Sequence, residues 1–176
     1  MSENNKEILL VDLNDNPIGK MKKLDGHKKP FLHRAFSIYL INGNKVLIQK
    51  RSIKKYHSGG LWANACCSHP ISEDIISEAN KRLKEELGII AKIKLKKLFD
   101  FVYYAQLDTV FEYEFDHVLL GKYDGDINLN TEEVEDFEWI EISKLEKELI
   151  EKPEKFAPWF LISAPNVIKK IKNSLK

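Results

Sequence analysis

Apolar and polar positions alternate in short runs along most of the chain, and one longer stretch switches to a helical period. Ile8-Leu9-Leu10-Val11-Asp12 predicts a strand, ended by the turn Asn14-Asp15-Asn16-Pro17. A second short strand is expected after Gly19, and Lys28-Lys29-Pro30 marks a loop. Ala35 to Ile41 and Lys45 to Gln49 predict two strands around Asn42-Gly43-Asn44, a hairpin signal. Lys50 to Gly60 reads as a basic loop, and Leu61 to Cys67 as one short extended segment closed by Pro70. From Ser72 to Leu87 the period changes: Ile76, Ala79, Leu83 and Leu87 share a helical face, with Gly88 at the C-terminal cap. Strands are expected at Ile93 to Tyr104, Val110 to Leu120 and around Trp139-Ile140, and helices at Ser143 to Glu151 and Asn166 to Leu175. Strands around one amphipathic helix, then helices, predict an α/β fold: a mixed sheet with helices packed on it, one domain over residues 1–176.

Composition narrows the class without naming a reaction. Lys and Arg number 28 against 27 Asp and Glu, a net charge of +1. That balance argues against nucleic acid as the partner but leaves room for a small anion in a local basic pocket. No apolar run approaches a membrane span, and Met1 to Lys6 is polar rather than a signal sequence. The two cysteines, Cys66 and Cys67, are adjacent and poorly placed to bridge each other. A cytoplasmic, reducing location with a free thiol is therefore expected.

Several groups of residues then offer chemistry. His27, His33, His57, His69 and His117 supply imidazoles, either as scattered surface residues or, in part, as ligands for a divalent metal. In Phe111-Glu112-Tyr113-Glu114-Phe115-Asp116, alternation puts three carboxylates on one strand face and the aromatics on the other. That is either a half-exposed strand or a carboxylate pair aimed into a site. Glu78, Arg82 and Glu86 share a helix face, as a solvated ladder or as a grip on a diphosphate and its magnesium. Lys50-Arg51-Ser52-Ile53-Lys54-Lys55 is either a solvated loop or a set of phosphate-binding cations. Trp62 and Trp159 suit core packing, and a ring face can also shelter a cation.

The segment from Cys67 through Glu73 to Lys81-Arg82-Leu83-Lys84-Glu85-Glu86-Leu87-Gly88-Ile89 resembles the Nudix box, G-x5-E-x7-R-E-U-x-E-E-x-G-U. It departs at the first Gly, which is Cys67, and at the central Arg-Glu, which is Lys81-Arg82. A positive charge where Nudix hydrolases carry a metal-holding Glu should impair pyrophosphate hydrolysis. Those departures, with Asn64-Ala65-Cys66-Cys67-Ser68-His69-Pro70, the pair His27 and His33, Glu112-Tyr113-Glu114 and Phe156-Ala157-Pro158-Trp159, resemble type I isopentenyl-diphosphate isomerases. The resemblance implies a Nudix-like fold and reversible conversion of isopentenyl diphosphate to dimethylallyl diphosphate. It implies Cys67 and Glu114 as the acid/base pair, Tyr103 as an assisting group and Trp159 as the ring facing a carbocation. It assigns His27, His33, His69, Glu112 and Glu114 to one divalent metal, Mn2+ or Zn2+, and Glu86 to a Mg2+ on the diphosphate. Lys23, Arg51, Lys55 and Arg82 would grip that diphosphate, with Lys20 and Lys22 as neighbours of Lys23. A monomer acting on a small molecule, with no nucleic-acid or membrane partner, is expected. A Nudix hydrolase and a non-catalytic diphosphate-binding module are the rival readings; Arg82 argues against the first, and Cys67 with the two glutamates against the second.

Overall fold

In the computed structural model, which describes residues 6–55, 57–107 and 110–174, β3 (His33–Asn42) is the hub of a nine-stranded sheet. On one edge it runs parallel to β8 (Val110–Lys122), from His33 opposite Glu114 to Ile41 opposite Lys122. Its other edge is shared by three strands in turn: β1 (Glu7–Val11) at His33, β6 (Cys66–Ser68) at Phe36 to Ile38, and β4 (Lys45–Arg51) at Ile41 and Asn42. β2 (Pro17–Lys22) extends β1, β5 (Trp62–Asn64) and β9 (Val134–Glu141) flank β4, and β7 (Lys96–Leu107) pairs antiparallel with β8.

The near-unbroken burial of β3 explains its continuous apolar run, because both faces of the sheet are covered. Phe36, Ile38, Leu40 and Leu47 pack with Ala79, Leu83 and Leu87 of α2 (Ile75–Leu87). Tyr39, Ile41, Val46 and Ile48 pack on the opposite face against Leu145 of α3 (Ile142–Glu151) and Phe160, Val167 and Ile168 of α4 (Pro158–Ser174). The period-two alternation of one strand thus feeds two cores.

Helix α2 starts at Ile75 rather than at the expected Ser72. Asp74 caps it by accepting from the Ser77 backbone N–H, and Glu78 turns back to accept from the N–H groups of Ile71 and Ser72. Gly88 closes it in the left-handed region at φ 66°, where an added Cβ would stand 2.6 Å from the Asn128 carbonyl oxygen.

Other boundaries differ from the sequence reading. The extended segment Leu61 to Cys67 divides into two strands, β5 and β6, which pair with β4 and β3 respectively. β7 begins at Lys96 rather than Ile93. Helix α4 begins at Pro158, since proline is tolerated in a first helical turn, and it runs through Pro165. A short helix, α1 (Lys23–Lys28), occupies a stretch without apolar periodicity. The expected polar start Met1 to Asn5, Tyr56 of the basic loop and the helix end at Leu175 lie outside the described residues.

Candidate functional site

Alternation along β8 turns Glu112, Glu114 and Asp116 inward together, and all three are buried. His33 stands opposite Glu114 across the β3–β8 ladder. α1 brings His27, and the turn after β6 brings His69. The ligand atoms of His27, His33, His69, Glu112 and Glu114 all lie within 4.8 Å of one another.

Backbone carbonyls fix the two early imidazoles. His27 Nδ1 is 2.7 Å from the Lys23 carbonyl oxygen and His33 Nδ1 is 2.8 Å from that of Phe31. A carbonyl only accepts, so each Nδ1 carries a hydrogen, and in the neutral ring each Nε2 keeps its lone pair. Those lone pairs face inward, with His27 Nε2 at 3.4 Å from Glu112 and His33 Nε2 at 3.6 Å from Glu114. His33 Nε2 and both Glu112 oxygens are buried without a well-aligned hydrogen bond among the described residues. Buried polar atoms left this way are costly, and imidazole and carboxylate donors converging on one point fit a divalent cation.

The electrostatics agree. Burial pushes the His69 imidazole down to about 3, so it is neutral at physiological pH although its Nε2 lies 2.8 Å from Glu114. Burial and the neighbouring Glu114 charge work against ionisation of Glu112, but contacts with His27 and His57 outweigh them and hold it at about 2. Burial likewise opposes ionisation of Glu114, yet contacts with His33 and His69 keep it well below the usual carboxylate range.

Beside the cage is a thiol. Cys67 on β6 and Glu114 on β8 reach one cleft from opposite edges of β3. Burial, reinforced by Asp116, pushes the Cys67 thiol up to about 12, which keeps its proton in place. Cys67 Sγ lies 3.1 Å from Asn64 Oδ1, which also accepts from Trp159 Nε1 at 3.2 Å. The Asn64 amide nitrogen donates to the carbonyls of Ile38 and Cys66, so its oxygen must face the thiol and the indole. Tyr103 Oη donates to Glu114 Oε2 at 2.6 Å. Cys66, by contrast, points into the α2-side core.

The mouth of the cleft is cationic. Lys23, Arg51, Lys55 and Arg82 line it, as do Glu86 and Glu133. Arg82 pairs with Glu85 at 2.6 Å and with Glu86, while Glu133 pairs with Lys55 and lies 3.6 Å from Arg82. Gln49 donates to Glu86 at 3.2 Å, and the Arg51 guanidinium sits 5.1 Å from the centre of the Trp159 ring.

Every residue singled out for the site therefore lines this cleft or belongs to the cage behind it. Lys23 lines it, whereas Lys20 and Lys22 lie on β2 and are not among its walls. Sequence reasoning left His57 without a role: it lies in the basic loop with Nε2 at 3.0 Å from Glu112. It also missed Ser37, Asn64 as an acceptor, and Glu133, none of which carries a signal in spacing alone. His117 is elsewhere, its nitrogens 3.0 Å from Asp15 and 2.8 Å from Asp100.

A family model for the NUDIX domain matches residues 31–160. Solved structures agree on the fold. A crystal structure of DR0079 from Deinococcus radiodurans, 17% identical, superposes with a TM-score of 0.75 over 92% of this chain and 98% of that one. The MutT protein of Methanosarcina mazei, also 17% identical, gives 0.63 over 82% and 97%. Sequence relatives are nearer. Isopentenyl-diphosphate Delta-isomerase 2 of Photorhabdus laumondii is 44% identical over 156 residues, 87% of each chain. Isopentenyl-diphosphate Delta-isomerase of Photobacterium profundum is 38% identical over 97% of this chain and 96% of its own. The chain belongs to the NUDIX family and, within it, to the isopentenyl-diphosphate Delta-isomerases.

Proposed function

We propose that this chain interconverts isopentenyl diphosphate and dimethylallyl diphosphate, with Cys67 and Glu114 as its proton-transfer groups. The observation that carries this reading is their placement at one cleft from opposite edges of β3. An unactivated double bond offers no carbonyl to acidify a neighbouring C–H. A proton must be added first, giving a tertiary carbocation, and another removed from the far side. That needs an acid that keeps its proton until the alkene arrives, a base held ionised, and a site that excludes water. The buried Cys67 thiol and the depressed Glu114 carboxyl have those protonation states. The Trp159 indole, pinned by Asn64, supplies a ring face for the cation. Tyr103 steadies Glu114 through its hydroxyl.

At the mouth, Lys23, Arg51, Lys55 and Arg82 would hold the diphosphate, and Glu86 the Mg2+ that accompanies it. His27, His33, His69, Glu112 and Glu114 would hold Zn2+ or Mn2+, either of which suits imidazole and carboxylate donors. When bound, that ion orients the Glu114 carboxylate and tunes its proton affinity.

Purified protein incubated with isopentenyl diphosphate and Mg2+ should yield dimethylallyl diphosphate, with no release of phosphate or pyrophosphate. Cys67→Ala should lower turnover by about 10²–10⁴, the contribution of a positioned acid. Wild-type turnover in metal-replete Cys67→Ala would falsify the assignment of the acid.

A further inference from the structure

Asp116 has no part in the cage or in the grip on the diphosphate, yet it is almost fully buried, at 1% exposure. Its Oδ2 accepts from Ser37 Oγ at 2.7 Å, and its Oδ1 has no hydrogen-bond partner among the described residues. A carboxyl kept in a sheet interior without a matching cation is expensive, and an apolar residue would be the cheaper occupant. Ser37, 0% exposed, is directly cross-strand from Cys67, and its Oγ lies 3.6 Å from the Cys67 sulfur.

The hydrogen bond from Ser37 Oγ to Asp116 Oδ2 bears on how Ser37 meets the thiol. A serine hydroxyl has one hydrogen. With that hydrogen given to Asp116, only a lone pair remains for Cys67. On its other side the sulfur meets Asn64 Oδ1, whose amide hydrogens are already used on two carbonyls. The thiol thus sits between two acceptors, each held in that role by its own partners.

We propose that Ser37 and Asp116 are positioning residues for Cys67: Asp116 fixes the Ser37 hydroxyl, and Ser37 with Asn64 limits the directions in which the thiol hydrogen can point. The consequence for turnover rests on Cys67 being the acid. The hydrogen-bond geometry itself does not depend on that assignment.

The chain has two cysteines, so in a Cys66→Ala background the infrared S–H stretch belongs to Cys67 alone. In that background Ser37→Ala and Asp116→Ala should each move the S–H band. They should also lower kcat by about tenfold or more, toward the ~10²-fold that slight misplacement of a reacting group costs, with KM and metal content unchanged. Because Asp116 acts through Ser37, the double variant should match Ser37→Ala in both band and kcat. An unmoved band in Ser37→Ala overturns the proposal, and so do additive losses in the double variant. Should Asp116→Ala fail to fold, Ser37→Ala decides by its band. If the band moves but Cys67→Ala keeps full activity, the positioning stands and the assignment of the acid is what fails.

Discussion

The histidine–carboxylate cage and the cationic mouth of the same cleft differ in what holds their side chains. In the cage, His27 and His33 are tied to backbone carbonyls through Nδ1, and the inner nitrogens approach the two glutamates. The mouth is held by side chains pairing with one another: Lys55 with Glu133, Arg82 with Glu85 and Glu86. The first arrangement is preorganised for a ligand that stays, because the backbone sets its geometry. The second is held by ion pairs among side chains, which the proposed diphosphate would exchange, taking Lys55 and Arg82 from Glu133. One cleft thus combines a fixed centre with an exchangeable grip, and substitutions in the two should fail differently.

The largest effect is expected in the cage. Glu114→Gln keeps the shape and removes the carboxylate proposed as base and as metal ligand. Turnover should fall by about 10²–10⁴, and metal retention against a chelator should fall as well. Arg51→Ala at the mouth should act on binding instead. Loss of a charge-assisted hydrogen bond costs about 1.5–3 kcal/mol, so KM should rise by roughly 10- to 100-fold with metal content untouched. If Arg51→Ala sheds metal, or Glu114→Gln changes only KM, the division between the two regions is wrong.

Acidity divides the histidines around the cage. His69 and His57 are held below 6.5, burial being the main cause in each. The folded protein keeps them neutral while the unfolded chain takes up protons, so stability should fall as pH drops below about 6.5. His27 has the opposite sign: burial lowers it, but Glu112 outweighs burial and raises it above 6.5. Its contribution is therefore complete below 6.5 and fades as pH rises through the raised value. Metal-free protein should melt highest near pH 6.5, and a bound divalent ion should remove the alkaline decline, because a neutral His27 then faces a cation. For a chain of this size ~1 kcal/mol is a shift of roughly 2–4 °C, which calorimetry with and without chelator can read. A melting temperature flat from pH 5 to 8 in chelator would count against these opposed shifts of His27 and of His57 and His69.

How much of this was legible in the sequence also divides by region. Local alternation put Glu112 and Glu114 on one strand face but left open whether that face was exposed or aimed into a site, and the family resemblance decided; in the structure both are buried while Phe111, Tyr113 and Phe115 are half-buried. The hairpin at Asn42-Gly43-Asn44 and the cap at Gly88 were legible because turn chemistry is local; Gly43 and Gly88 both adopt positive φ. Family resemblance placed His27, His33 and His69, whose convergence depends on long-range pairing that no period encodes. His57, Ser37 and Glu133 were not legible, because each matters through a partner far along the chain: Glu112, Asp116 and Lys55. Helix α1 escaped notice because its six residues carry no apolar stripe.

The smallest effect sharpens the comparison most cheaply, because it concerns a neighbour of a site residue. Cys66 and Cys67 are adjacent on β6, and strand alternation sends them to opposite faces of the sheet. Cys67 packs toward the cleft side with Ala63 and Trp159, whereas Cys66 is 0% exposed among Phe36, Ile38, Leu47 and Leu83. Cys66→Ala removes one sulfur from a dense apolar contact; the thiol lies 4.0 Å from the Cys67 carbonyl and also faces Glu86. The cost should be about 1 kcal/mol of stability, in the usual range for a small core truncation, seen as a slightly lower melting temperature. Isomerase kcat and KM should match the parent, with metal content equal. If Cys66→Ala instead lost activity on the scale expected for Cys67→Ala, the two faces of β6 would not be separate, and the thiol at position 67 would owe its importance to packing rather than to its proton.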